Sequence, residues 1–270
     1  MNDFLMNSLF KNSWSIYRER FWTMVAIMLL SIILTFIVLG VGFALFAEEI
    51  MQYMKFNYYM APDASLLRII IPVIVILYLV DLLINGSLFA LVSHNQDIGP
   101  KKSFSIGIKK ILHFLLIDIL RIIAILGIPV ILFTGLNLLQ VQYGLVVILT
   151  IITLIFPGIM FMTWFSLAPC ALFKNNLWGF KALGKSKSLV SRNFRSVFWR
   201  LFIITATISL INLTAVSMIE GPSAFVVNVL TMPFLIAFLY SMYKSLNTGG
   251  EDIQRSADNT VFESQETHHL

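Results

Sequence analysis

No charged side chain interrupts the chain between Arg20 and Glu48, and none between Arg121 and Lys174. About 20 apolar residues in helical form cross the hydrocarbon core of a bilayer. The first gap therefore holds one crossing, and the second holds the remainder of one crossing and the whole of another. Hydrocarbon offers no partner to a backbone N–H or C=O, so such runs must satisfy their own backbone as helices. The rest of the composition agrees: of 270 residues, 58% are hydrophobic and 12% charged, whereas a soluble domain carries about 25% charged residues.

The expected fold class is all-α and integral to the membrane. Six transmembrane helices are read at about 21–47, 67–91, 111–133, 143–173, 198–219 and 224–243. They form three helical hairpins, each preceded by a short basic amphipathic interfacial helix. Residues 1–20 are the first of these helices, with Phe10, Trp14, Tyr17 and Phe21 on one face. The second follows Gly99-Pro100, with Phe104, Ile108 and Ile111 opposite Lys102, Lys109 and Lys110. In the third, Lys181, Lys185, Arg192 and Arg195 form one stripe, and Leu183, Val190, Phe194 and Val197 the other. The six-span domain covers 21–244, and 245–270 reads as a disordered acidic tail. Gly40 and Ala44 offer a small-residue contact in span 1, Pro157-Gly158 a kink in span 4, and Pro169 the end of that span.

Position explains the formal charge of +5. Lys and Arg concentrate at 11–20, 101–110 and 174–200, while 48–66 is the one sizeable acidic-leaning loop and Glu220-Gly221-Pro222-Ser223 a tight turn. Positive charge stays on the cytoplasmic side, so both termini are expected there, in a multi-pass protein of the cell (inner) membrane. Cations at the ends of apolar runs speak for a lipid surface and against nucleic acid. The apolar run after Arg20 is too long for a signal-peptide h-region, so it is expected to remain as an anchor. Cys170 is the one cysteine and excludes an intrachain disulfide. The starts Ser13-Trp14-Ser15-Ile16, Ser103-Phe104-Ser105-Ile106 and Ser186-Lys187-Ser188-Leu189 share a register. They mark either an internal repeat or the common need of hairpins for basic, Ser-rich connectors.

Two sets of side chains are candidate sites. Lys181, Lys185, Arg192 and Arg195 are candidate contacts for anionic lipid headgroups, each cation contributing about 1 kcal/mol near such a surface; the same stripe also serves as a topology signal. Asp81, Asp118 and Arg121 are a candidate intramembrane polar site, because ionisable groups in spans usually face a bundle interior. The alternative is an intrahelical Asp118–Arg121 pair near the interface, with Asp81 satisfied by Asn85 or its neighbours. No nucleophile–base pair, phosphate-cradling loop or metal-ligand spacing is legible, so no catalytic residue, metal or cofactor is assigned.

The tract Phe165-Ser166-Leu167-Ala168-Pro169-Cys170-Ala171-Leu172, then Gly179-Phe180-Lys181-Ala182-Leu183-Gly184-Lys185-Ser186, then Ser191-Arg192-Asn193-Phe194-Arg195, carries a family resemblance. It resembles the membrane domain appended to some glycerophosphoryl diester phosphodiesterases, and related stand-alone bacterial inner-membrane proteins of unassigned function. The opening Phe10-Lys11-Asn12-Ser13-Trp14-Ser15-Ile16-Tyr17-Arg18-Glu19-Arg20-Phe21 is similar to the start of those proteins. The phosphodiesterase barrel needs about 250 residues of its own and has no room here. The resemblance thus implies a membrane module without that activity. The expected function is a non-enzymatic scaffold or headgroup- and partner-binding module, the alternative a small-solute or lipid transporter working through Asp81, Asp118 and Arg121.

Overall fold

The apolar runs fold as helices in a computed structural model that describes residues 6–56, 64–94, 98–218 and 223–266. The helices are α1 (Met6–Glu19), α2 (Phe21–Phe56), α3 (Ala64–Ser93), α4 (Pro100–Leu138), α5 (Tyr143–Phe165), α6 (Ala168–Lys174), α7 (Gly179–Ser191), α8 (Phe194–Met218) and α9 (Ser223–Glu266). Among the described residues six stretches are long and apolar enough to cross a membrane: Phe21–Glu48, Ile70–Ser93, Pro100–Leu138, Tyr143–Lys174, Phe194–Ala215 and Val226–Thr248. The expected all-α architecture of six spans stands.

Several boundaries differ from expectation. The second amphipathic segment is the opening of α4 rather than a separate helix: nothing between Lys101 and Ile128 breaks the i→i−4 ladder, so the helix begun at Pro100 runs straight into the span. The expected loop 48–66 is occupied by α2 as far as Phe56 and by α3 from Ala64; 57–63 lie outside the described residues, as does the turn at Glu220. Helix α2 instead departs from helical dihedrals at Phe46. Helix α5 continues through Pro157, and the chain breaks at Ser166 and Leu167. Pro169 then sits in the first turn of α6, where its missing N–H costs nothing. Beyond Lys244, where a disordered tail was expected, α9 continues to Glu266. Extending an existing helix avoids the cost of nucleating one.

Burial is concentrated at one end of the bundle. The buried apolar residues include Met24 and Ile27 of α2, Leu88–Val92 of α3, Phe114 and Ile117 of α4, Leu167–Phe173, Ala182 and Val190 of α7, and Ile236–Phe238 of α9. All lie toward the end that carries α1 and the basic connectors, called the basic end below. Toward the other end, residues such as Phe36, Leu45, Ile74, Ile131, Ile148 and Leu210 are exposed, as apolar side chains facing lipid would be.

Helix α1 lies across α9: Phe10, Trp14 and Tyr17 surround Phe234, with ring centroids 5.4, 6.3 and 5.8 Å away. The face turned fully inward is Leu9, Ser13 and Tyr17, so Phe10 and Trp14 are half-exposed anchors rather than core. A similar offset occurs on α4, whose buried seam is Ser103, Gly107, Phe114 and Ile117 while Ile108 faces outward. The reason is the close approach to α3. A Cβ built on Gly107 would stand 2.7 Å from Ser87 Oγ and 3.1 Å from Ser87 N, so only small residues fit this seam. Gly40, expected to serve this purpose, faces open space.

Replacing Gly107 tests this contact. Gly107→Ala is expected to lower the thermal midpoint in detergent, with an overpacking cost of about 1–3 kcal/mol, whereas Gly40→Ala should leave it unchanged or slightly raised. Equal midpoints for the two variants would show that α3 and α4 are not in contact there.

Candidate functional site

A helix leaves its last four carbonyls without intrahelical partners, and at the basic end α3, α5 and α6 all terminate against neighbouring elements, α3 at buried Ser93, α5 at partly buried Phe165, and α6 with Leu172 and Phe173 buried but Lys174 exposed. Each is capped from a different element. Arg20, at the α1–α2 junction, donates through Nη1 to the carbonyl of Leu91 and through Nη2 to that of His94, the latter at 2.8 Å. His94 Nδ1 lies 3.0 Å from Ala90 O and is therefore the protonated nitrogen in that contact. Lys174 Nζ lies 3.5 Å from Ser93 O. Lys110 of α4 donates to Leu172 O of α6 at 3.0 Å, with its ammonium 5.2 Å from the centroid of the Phe173 ring. Ser186 of α7 donates to Trp164 O at 2.6 Å, and Lys187 stands 4.8 Å over the Trp164 ring. Beneath these caps Phe89, Phe114 and Phe173 join α3, α4 and α6, with centroids 6.0 to 6.3 Å apart. Cations thus hold the negative ends of helix dipoles, and backbone polarity is satisfied where water is scarce.

The cationic stripe expected on one helix is divided: Lys181 and Lys185 lie on α7, Arg192 at its C-terminal cap and Arg195 in the first turn of α8, because the helix breaks between Ser191 and Phe194. Lys181, Arg192 and Arg195 are exposed and Lys185 is half-buried, while Leu183, Val190 and Val197 are buried and Phe194 is partly so. The helix is held inward by its small residues: a Cβ on Gly179 would come within 2.8 Å of Leu116 Cδ2 on α4. The four cations therefore form an outward-facing surface whose apolar counterpart is already used for packing.

Asp81, Asp118 and Arg121 come together across the α3–α4 interface, through partners the sequence only partly indicated. Arg121 Nη2 is 3.3 Å from Asp118 Oδ1, and the second Asp118 oxygen accepts a bond of 3.2 Å from the Tyr78 hydroxyl of α3. Asp81 accepts from Asn85 Nδ2 at 2.9 Å and is close enough to Asp118 for the two carboxylates to interact electrostatically. Arg121 therefore pairs within its own helix, and Asp81 is held by the amide one turn away. Tyr78 is the member missed in the sequence, where one tyrosine in an apolar run carries no sign of its partner.

A further cluster was read only as connector charge. Ser93, His94, Ile106, Lys109, Lys110, Phe173, Lys174 and Asn176 line a cavity of about 500 Å³ between α3, α4 and the α6–α7 turn. Asn176 adopts a left-handed φ of 53°, which turns the chain immediately after α6. Among the described residues no carboxylate lines this cavity, and no group of three His, Cys, Asp or Glu converges anywhere as a metal site would require. Its members are scattered over 84 positions of sequence from Ser93 to Asn176, so only the folded chain assembles them.

Helical content, span number and lateral exposure define a polytopic α-helical membrane protein. No family model, curated protein or solved structure matches the chain.

The polar cluster makes a graded prediction. Asp118→Ala removes the partner of both Tyr78 and Arg121, and should destabilise the protein in detergent more than Asp81→Ala, which releases Asn85 alone. The difference is expected to be about 1–2 kcal/mol. A larger loss from Asp81→Ala would contradict this hydrogen-bond arrangement.

Proposed function

We propose that the protein is a non-enzymatic membrane module whose basic end binds acidic lipid headgroups and presents a docking surface to partners on the same side. The observation that carries this reading is the exposure of the cations on α7 and at its junction with α8, with Lys181, Arg192 and Arg195 exposed beside half-buried Lys185. Cations required only for topology need no shared exposure, whereas these cluster on α7 and at its junction with the membrane-crossing α8, three of the four exposed. On this reading the basic end and both termini are cytoplasmic, as the excess of Lys and Arg there favours. The likeness to the membrane domain of the diesterase family belongs to the same proposal.

Replacing Lys181, Lys185, Arg192 and Arg195 together by Ala is expected to reduce the enrichment of phosphatidylglycerol over phosphatidylcholine around the protein in native nanodiscs. Each cation contributes about 1 kcal/mol, so the loss should be roughly tenfold or more. Unchanged enrichment would remove the stripe from the account. Reporter fusions after Ser105 and after Ser188 should both report the cytoplasm; opposite sides would overturn the topology.

A second reading, transport of a small solute or protons, is favoured by the meeting of Asp81, Tyr78, Asp118 and Arg121 across two spans. It predicts proton flux in proteoliposomes that falls with Asp81→Asn. Flux indistinguishable from protein-free vesicles would end that reading.

A further inference from the structure

We infer that the cavity around Lys109 and Lys110 is a stoichiometric site for the phosphate of one acidic glycerophospholipid, with an acyl chain lying in the adjoining groove between α2 and α4. The inference rests on the headgroup-binding reading above but places the specific site away from α7.

The chemistry of the lining points to an anion. Lys109, Lys110, Lys174 and His94 face one cavity of about 500 Å³. Lys110 commits one bond to Leu172 O, and an ammonium carries three donors. Ser93 supplies the most specific indication. The residue lines the same cavity and is 4% exposed, and its buried Oγ finds no hydrogen-bond partner among the described residues. A buried hydroxyl left without a partner costs about 1–3 kcal/mol, and a phosphate oxygen accepting from it would remove that cost. Asn176, at the start of the turn after α6, adds a neutral amide to the rim.

The neighbouring cavity distinguishes a lipid from a free ion. It has a volume of about 580 Å³ and is lined by Leu30 of α2 and by Pro100, Lys101, Phe104, Ser105, Ile108 and Lys109 of α4. Lys109 borders both spaces. A headgroup phosphate at Lys109 and Lys110 would place its glycerol at the boundary, with the chain against Leu30, Phe104 and Ile108. Basic pockets between spans, continuous with apolar grooves, are where acidic lipids are held individually. The exposure of Ile108 then has a function: with Phe104, which is partly buried against the core, it is a wall for the chain.

The test uses full-length protein, delipidated in mild detergent and titrated separately with phosphatidylglycerol, phosphatidylcholine and inorganic phosphate, read by native mass spectrometry. One phosphatidylglycerol per chain should bind about tenfold or more tightly than phosphatidylcholine. The double variant Lys109→Ala/Ser93→Ala should weaken that binding by about tenfold. Its unliganded thermal midpoint should not fall and is expected to rise, because neither substitution removes a carbonyl cap and Ser93→Ala removes a buried hydroxyl that lacks a partner. The four-residue α7 variant should retain the single tight lipid even as it loses general enrichment. Retention of the lipid by the double variant would overturn the pocket, whatever the α7 variant does. Loss of the tight lipid in the α7 variant alone would leave the surface reading standing and remove the pocket. Saturation by inorganic phosphate at affinity equal to the lipid's would replace the lipid with a soluble anion and overturn the groove's role.

Discussion

Three helices end against other elements at the basic end, and the structure depends on how their last carbonyls are satisfied. At the terminus of α3 the partners come from Arg20, His94 and Lys174; at α6 from Lys110; at α5 from Ser186. Each bond except that of His94 joins two elements distant in sequence, so one set of contacts both neutralises the helix ends and fixes how the hairpins meet. Hydrogen bonds from ionised donors are worth about 1.5–3 kcal/mol, more than most apolar contacts between lipid-facing spans, which lack a hydrophobic driving force. The consequence is a bundle tightly packed at the basic end and open to its surroundings at the other.

That polarity also organises the functional surfaces. Cations that turn inward cap carbonyls, and those on α7 that turn outward are available to the lipid surface. Lys109 and Lys110 stand between the two roles, one bordering a groove and the other bound to Leu172 O while still lining the cavity. The Asp118 cluster sits beyond the dense region along α3 and α4, where Tyr78 and Arg121 hold one carboxylate and Asn85 the other.

Spans and hairpin order were legible because hydropathy acts locally, whereas the helix break after Ser191, which divides the expected stripe, was not. What else was not legible depends on distance between elements. Phe104, Ile108 and Ile111 form the more apolar face of the α4 opening, yet the face used is Ser103–Gly107–Phe114–Ile117, because Ser87 approaches too closely for anything larger. Arg20 and Lys110 read as markers of the membrane boundary; their roles as caps follow from where α3 and α6 stop. The break at Ser166 falls just before Pro169, which cannot continue a helix from Phe165, while α5 runs through Pro157 as helices in hydrocarbon often do. The cavity cluster was invisible for the same reason, its members being brought together by the ends of α3 and α6 and by the early turns of α4.

The most direct test compares cations of the two kinds by reversible unfolding of the purified protein. Arg20→Met and Lys110→Met keep bulk but remove the donors, and Lys181→Met does the same on the outward stripe. If carbonyl capping holds the bundle together, each inward variant loses about 1.5–3 kcal/mol while Lys181→Met stays near wild type. Equal, small effects at all three positions would contradict the account.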